Sequence, residues 1–352
     1  MSTGLPCPRP CRPRQQAAAV AGAQAGLTLV ELLVAMAVGL IVALAAIAAL
    51  VVSRQGFTTV DGAAQLRDNA RFAGEIVQRM VLQAGYKEAS EAISLRPANF
   101  AALSANPPPA LFGFNNAQAD STDPDTKASP RAAGDPAYGS DVLVVRFQTS
   151  PLAPDSPDAD RSMIDCAGFA ADAAPTDRDD RVVNVLHIRI SDGEPTLMCS
   201  RHATGSTVFA APQPLVRGVE LFQVLYGVDG VEPQTAPADL QAIPPVDRPP
   251  SRYLRADQLE VAGNLAATHA NWRRVRSVRI GMVLRSAPNT AQDRRPVDIH
   301  PLGSAPGSAG GDAGTAMANP GQDAASLFQA PADGRLRQVV TFTVHLRNHQ
   351  RP

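Results

Sequence analysis

The chain has 352 residues, of which 18% are charged and 5% aromatic, and its formal net charge at pH 7 is −1. That balance leaves no surplus of Lys and Arg to displace counterions from phosphates, which excludes an electrostatically driven nucleic-acid binder. With 31 Pro and 26 Gly, a moderate folded core carrying long irregular insertions is expected. The first 26 residues hold Arg9, Arg12 and Arg14 and no acid. From Leu32 to Val52 no residue is charged. At ~1.5 Å per residue, that run is long enough to cross a hydrocarbon core of ~30 Å. No second run of the kind follows, so the chain is expected to be anchored once. Positive charge before the span predicts that residues beyond Val52 lie across the membrane. A secretory signal peptide would have an apolar region of ~7–15 residues ending at a small-residue cleavage site. The run here is longer and no A-x-A pattern stands near Ser53, so an uncleaved signal anchor is the plainer alternative.

Glu31 stands near the start of this run, where a carboxylate costs roughly 3 kcal/mol and normally has a partner. Taken alone it reads as an interfacial residue, snorkelled or protonated. Its position is distinctive, because it is the fifth residue after Gly26, which closes the basic leader. The stretch GLTLVELLVAMAVGLIVALAAI, from Gly26, resembles the class III signal of type IV pilins and of type II secretion pseudopilins. The resemblance implies that a membrane aspartyl peptidase cuts between Gly26 and Leu27 on the cytoplasmic side and methylates the new N-terminus at Leu27. It further implies that Glu31 pairs with the N-terminal amine of a neighbouring subunit. The physics agrees, since a buried ammonium and carboxylate satisfy each other while either alone in hydrocarbon is penalised. Leu27 departs from the commoner Phe, and the leader is longer than in many major pilins. Removing the leader takes three Arg and no acid, so the mature chain is more negative.

Helical pattern continues past Val52. Phe57, Val60, Ala64, Phe72, Ile76, Val77 and Met80 recur at spacings near three and four, with charged residues between them. This predicts an amphipathic half-helix over 53–86 whose apolar stripe lies against a sheet, with Gly85 as C-cap. The segment LRDNARFAGEIVQRMVLQAGY, residues 66–86, resembles the stretch that PilW-type minor pilins carry after their membrane helix. Further similar segments are PTLMC ending at Cys199, LFQVLYGVDG at 221–230, RYLRADQLEVAG at 252–263, NWRRVRSVRIGMVLRS at 271–286 and RQVVTFTVHLRN at 337–348. From the residues alone these read as strands. Val278, Ile280, Met282 and Leu284 alternate with Ser277, Arg279, Gly281 and Arg285, as Val340, Phe342, Val344 and Leu346 do with Thr341, Thr343, His345 and Arg347. Period two with a polar outer face argues an antiparallel, half-buried sheet. Residues 141–149, 182–190, 206–210 and 214–228 add strand candidates.

Stretches 103–140, 150–162, 229–250 and 287–334 concentrate Pro, Gly, Ala, Ser and Asp and read as surface insertions. The expected architecture is α+β and pilin-like. A leader at 1–26 precedes a transmembrane half-helix at 27–52, the amphipathic half at 53–86 and a β-rich head at 87–352. Cys7 and Cys11 fall in the leader. The resemblance puts Cys166 and Cys199 in an exported head, where disulfides persist. A disulfide between them is expected, which would stabilise by roughly 3–4 kcal/mol in the chain-entropy model; two unpaired buried thiols are the alternative.

No catalytic motif stands out. The six His show no H-E-x-x-H spacing, and there is no G-x-S-x-G or P-loop. The acidic stretch from Asp155 to Asp160 could cradle calcium, but it lacks the glycine and distal glutamate of an EF-hand loop and reads as solvated. Trp272 reads as a core or sheet-edge anchor in preference to a ligand contact. No catalytic residue, metal or cofactor is expected. The resemblance implies a minor pilin of a tip or priming complex. Its expected partners are other minor pilins, the major pilin, the prepilin peptidase, the inner-membrane assembly platform and a tip adhesin. The expected location is the inner membrane, single pass with the head in the periplasm, and then the pilus. A J-type pseudopilin of type II secretion is the alternative within the superfamily. A signal-anchored enzyme or binding protein is the alternative outside it.

Overall fold

The computed structural model describes residues 26, 28–87, 106, 108–154, 156–176, 180–202, 208–242, 249–303 and 327–348. Leu27, Cys7, Cys11, Asp155 and most of the expected leader lie outside these, as does much of the 287–334 insertion. The chain divides between Gln55 and Gly56 into two units. In the first, helix α1 (Leu29–Gln83) begins, and every described residue through Gln55 is exposed.

In the second unit, α1 buries Gly62, Leu66, Ala70, Ala73, Ile76, Val77, Met80 and Val81. The steps of three and four are those of a single helix face. The face is not the one that apolar periodicity selects. Ile76, Val77 and Met80 belong to it, but Phe57 is 74% exposed, Val60 70% and Phe72 51%. The reason is size. A Cβ added to Gly62 would stand 2.6 Å from Thr290 Cγ2, and the Thr59 hydroxyl donates to the Thr290 carbonyl at 2.8 Å. Small residues at Gly62, Ala70 and Ala73 let the head approach the helix closely, while Phe57, Val60 and Phe72 point away. Gly85, at φ +73°, ends the helix as expected and donates to the Arg146 carbonyl at 3.0 Å. The Asn348 amide donates to the Ala84 carbonyl at 3.0 Å, so a residue near the C-terminus closes the same helix end.

Two antiparallel sheets complete the head. The first has the order β1 (Leu111–Phe114), β4 (Val142–Phe147), β5 (Val182–Ser191), β6 (Glu194–His202), β7 (Gln213–Arg217). The second has the order β13 (Arg337–His345), β10 (Val275–Arg285), β8 (Val219–Val228), β9 (Arg252–Leu254). Both sheets share one core with α1, in which Leu186, Leu197, Phe222, Ile280 and Val77 are fully buried. Two small hairpins pair β2 (Ala117–Ala119) with β3 (Ala128–Pro130) and β11 (Val297–Ile299) with β12 (Phe328–Ala330). The expected insertions 103–140 and 287–334 therefore carry short strands of their own.

Three expectations change. The candidate strand 214–228 is two strands in different sheets. Gly218, at φ +82°, turns the chain between them where a Cβ would meet the Arg285 carbonyl at 2.6 Å. No strand covers the described part of 206–210. The segment 252–263 is strand only to Leu254 and then forms α2 (Ala256–Leu259); α3 (Leu265–Trp272) follows and takes the first two residues of the expected strand 271–286. There Asn264 caps α3 by accepting from the Ala267 N–H at 3.0 Å, a turn-and-cap signal that outweighs a short apolar run. The outer face of β10 is also not solvated. Leu302, from the 287–334 insertion, packs on Leu225 and Tyr253, and Arg279 donates to the Leu302 carbonyl at 3.2 Å. An apolar cover from elsewhere in the chain buries Ser277 completely. Only the edge strand β13 keeps the expected alternation.

Candidate functional site

The segment opening α1 carries the site residues expected from sequence. Thr28 precedes the first helical residue, and its hydroxyl accepts from the backbone N–H of Glu31 at 3.3 Å. Its carbonyl accepts from the Leu32 N–H at 3.2 Å. Thr28 is thus the N-cap and Glu31 the third helical residue, the T-x-x-E order of a capping box. The T-x-x-E spacing is the sequence signal for this cap. The cap holds Glu31 in the first turn, where the unpaired N–H groups of the helix favour negative charge. The carboxylate is exposed. From Thr28 to Ser53 it is the only charged group.

Gly26 is exposed, and a Cβ built on it would meet nothing within 4 Å. The fold therefore places no steric demand for glycine at this position. Leu27 lies outside the described residues, so the structure gives no geometry at the expected scissile bond. Leu32, Met36 and Ile41, in the apolar run that follows, are each more than half exposed. By length and composition α1 is able to cross a membrane.

In the head, Cys166 and Cys199 are joined by a disulfide, with Cα atoms 5.8 Å apart. Cys199 lies on β6. Cys166 lies on the loop after β4, where its N–H donates to Asn184 Oδ1 at 2.7 Å. Gln83 at the end of α1 donates to the Ile164 carbonyl at 3.1 Å, so the bridged loop also holds the helix end. Asp165 accepts from Arg201 at 2.9 Å, and that guanidinium sits 4.4 Å over the Phe169 ring. The bridge secures packing and brings together no reactive constellation. Asp158 and Asp160 lie earlier on the same loop, where Asp160 accepts from the Ser162 hydroxyl at 2.9 Å. Among the described residues no group of three metal-ligating side chains converges. Trp272 is 1% exposed, in the core as expected, with its ring 4.8 Å from Phe112 and 4.5 Å from Tyr226.

Residues 186–348 match the family described as type IV pilus-assembly protein W. Residues 22–47 match the prokaryotic N-terminal methylation motif. None of the curated proteins matches the chain. Among solved structures, a type IV-like pilin from Thermus thermophilus, TTHA1219, is similar at 14% identity and a TM-score of 0.37, over 81% of this chain and 98% of that one.

Proposed function

We propose that the chain, whose residues 186–348 match the type IV pilus-assembly protein W family and whose residues 22–47 match the N-terminal methylation motif, is a minor pilin that helps initiate and cap the pilus within a tip complex. One observation carries the reading. A prepilin methylation motif heads a helix whose residues through Gln55 are exposed and, apart from Glu31 and Arg54, uncharged. Such a surface is stable in a bilayer or among like helices, and it serves both stages of a pilin's life. The peptidase cuts between Gly26 and Leu27 and Leu27 is methylated. The head then stands in the periplasm on an inner-membrane anchor until the subunit enters the filament. Partners are the other minor pilins, the major pilin, the assembly platform and a tip adhesin. The role is structural.

Glu31 is the residue on which assembly turns. Its carboxylate pairs with the amine of Leu27 on a neighbour, and losing one member of a buried pair typically costs ~3–5 kcal/mol. The Glu31→Leu chain should be cleaved and membrane-bound yet absent from sheared filaments. Glu31→Gln, which keeps size and removes charge, should enter them at an intermediate level. Quantitative mass spectrometry of the membrane and sheared fractions decides it, and wild-type amounts of Glu31→Leu in filaments would end the pairing account. Recovery of the chain with secretion components in place of pilus components would assign it to a pseudopilus.

A further inference from the structure

A cavity of about 510 Å³ opens between β1 and the α2–α3 segment of the head, and nothing in pilus assembly as described above uses it. Its apolar wall is aromatic. The Phe112 ring stands edge-on to Phe114 at 5.3 Å and tilted against Trp272 at 4.8 Å. Around the opening stand the carboxylates of Asp257 and Glu260, the Asn115 amide and the Thr126 hydroxyl. Asp257 is held by Arg255, two nitrogens on two oxygens at 2.9 Å. Glu260 is exposed and enters no ion pair among the described residues.

Two further facts narrow the ligand. Among the described residues no Lys or Arg lines the cavity, so a phosphate, sulfate or carboxylate would meet acids without a compensating cation. Beneath the wall, the Trp272 indole N–H and the Tyr226 hydroxyl are buried without a hydrogen-bond partner. The two rings are packed edge-on at 4.5 Å. Burial, aided by the charge of Asp141, pushes the Tyr226 pKa well up, so the hydroxyl keeps its proton. Folded interiors rarely strand donors in this way.

We propose that this cavity binds a neutral saccharide. A pyranose ring has an apolar C–H face for Phe112 and Phe114. Its hydroxyls can donate to Asp257 and Glu260 and accept from the Asn115 amide. The volume lies within the ~300–1,000 Å³ usual for small-ligand sites. A basic peptide side chain is the other ligand that an acid-rimmed aromatic cavity suggests, but Asp257 is already neutralised by Arg255, and such a ligand would leave the neutral donors of Asn115 and Thr126 unused.

Trp272 is the chain's only tryptophan, so its fluorescence reports directly on the cavity. The full chain in a detergent without a sugar headgroup is titrated with glucose, galactose, N-acetylglucosamine and maltose. The expected result is a saturable change in emission with at least one of them. Phe114→Ala and Glu260→Gln should each weaken it by about tenfold, as loss of one good contact does, while the circular-dichroism melting curve stays in place. Asn115→Ala serves as a second polar variant should Phe114→Ala lower the melting temperature. Absence of a saturable change with all four sugars overturns the proposal. So does a change that survives the substitutions, or saturation by arginine ethyl ester in place of the sugars.

Discussion

A Cβ on Gly26 would meet open space, whereas one on Gly62 would run into Thr290. The two glycines are equivalent in composition and opposite in cause. At Gly62 the chain's own packing requires the absence of a side chain. At Gly26 no such packing exists, and under the proposed function the requirement would come from a peptidase that has to reach the bond to Leu27. Gly26→Val is therefore expected to leave the melting temperature of the head unchanged while the precursor stays uncut. Intact-mass and N-terminal analysis of membrane fractions checks it, and a mature chain starting at Leu27 in the variant would refute it. Glu31 was legible from its spacing to Gly26. Its cap, Thr28, is as local a feature and follows from the T-x-x-E order.

At the scale of elements, α1 shows why periodicity alone chooses the wrong face. The sequence pattern scores Phe57, Val60 and Phe72 as highly as Val77 and Met80, because it weighs hydrophobicity and ignores how near the next layer comes. The buried seam runs through Gly62, Ala70 and Ala73, residues with little apolar surface to signal themselves. Met80→Ala, at a side chain 1% exposed, should cost about 2–5 kcal/mol through lost burial and a cavity. Phe72→Ala, at a side chain 51% exposed, should stay within about 0.5 kcal/mol. Thermal unfolding of the solubilised full chain separates the two. Equal losses would mean that Phe72 is packed as tightly as Met80 and that the face assigned here is wrong. The strands β10 and β13 were legible by alternation. The break at Gly218 was hidden because a single glycine inside an apolar run does not announce a change of sheet.

Across the whole head, buried charges join elements far apart in the chain. Arg285 donates to Glu194 at 2.7 Å and to Glu220 at 3.0 Å. Arg335 reaches Glu194 at 2.9 Å, and Arg337 reaches Glu220 and Asp333 at 2.8 Å each. Glu194 belongs to one sheet and Glu220 to the other, so this network ties them together at one end. Burial opposes ionisation of Glu194, but the hydrogen bonds from Arg285 and Arg335 outweigh it and hold its carboxyl below the ordinary glutamate range. Asp333 is held low in the same way by Arg337. On β5, His187 is buried with its Nε2 3.0 Å from the Ser200 hydroxyl. Burial, then the charges of Arg131 and Arg189, lower its pKa from 6.5 to about 4. All three groups bind protons more weakly folded than unfolded, so each favours the folded state at higher pH. Stability should be full above pH 6.5, fall towards pH 4 as unfolded His187 takes up its proton, and fall further below pH 4.5 as Glu194 follows. Melting temperatures across this range check it. A His187→Phe chain should lose the upper part of the slope and keep the lower, and an unchanged profile would remove His187 from the account.

The methylation motif at 22–47 and the uncharged run behind Glu31 were legible from sequence alone, because both are local, linear features. The alternation in β10 and β13 and the helical period of 66–86 were also visible in one dimension, since each is the repeat of a single element. Which face of α1 is buried, that Leu302 covers the outer side of β10, that Gly218 changes sheets and that Glu194 meets Arg285 were decided only in the tertiary structure. Each of these depends on how close a second segment approaches, and that distance is a property of the packed layers rather than of any stretch of chain.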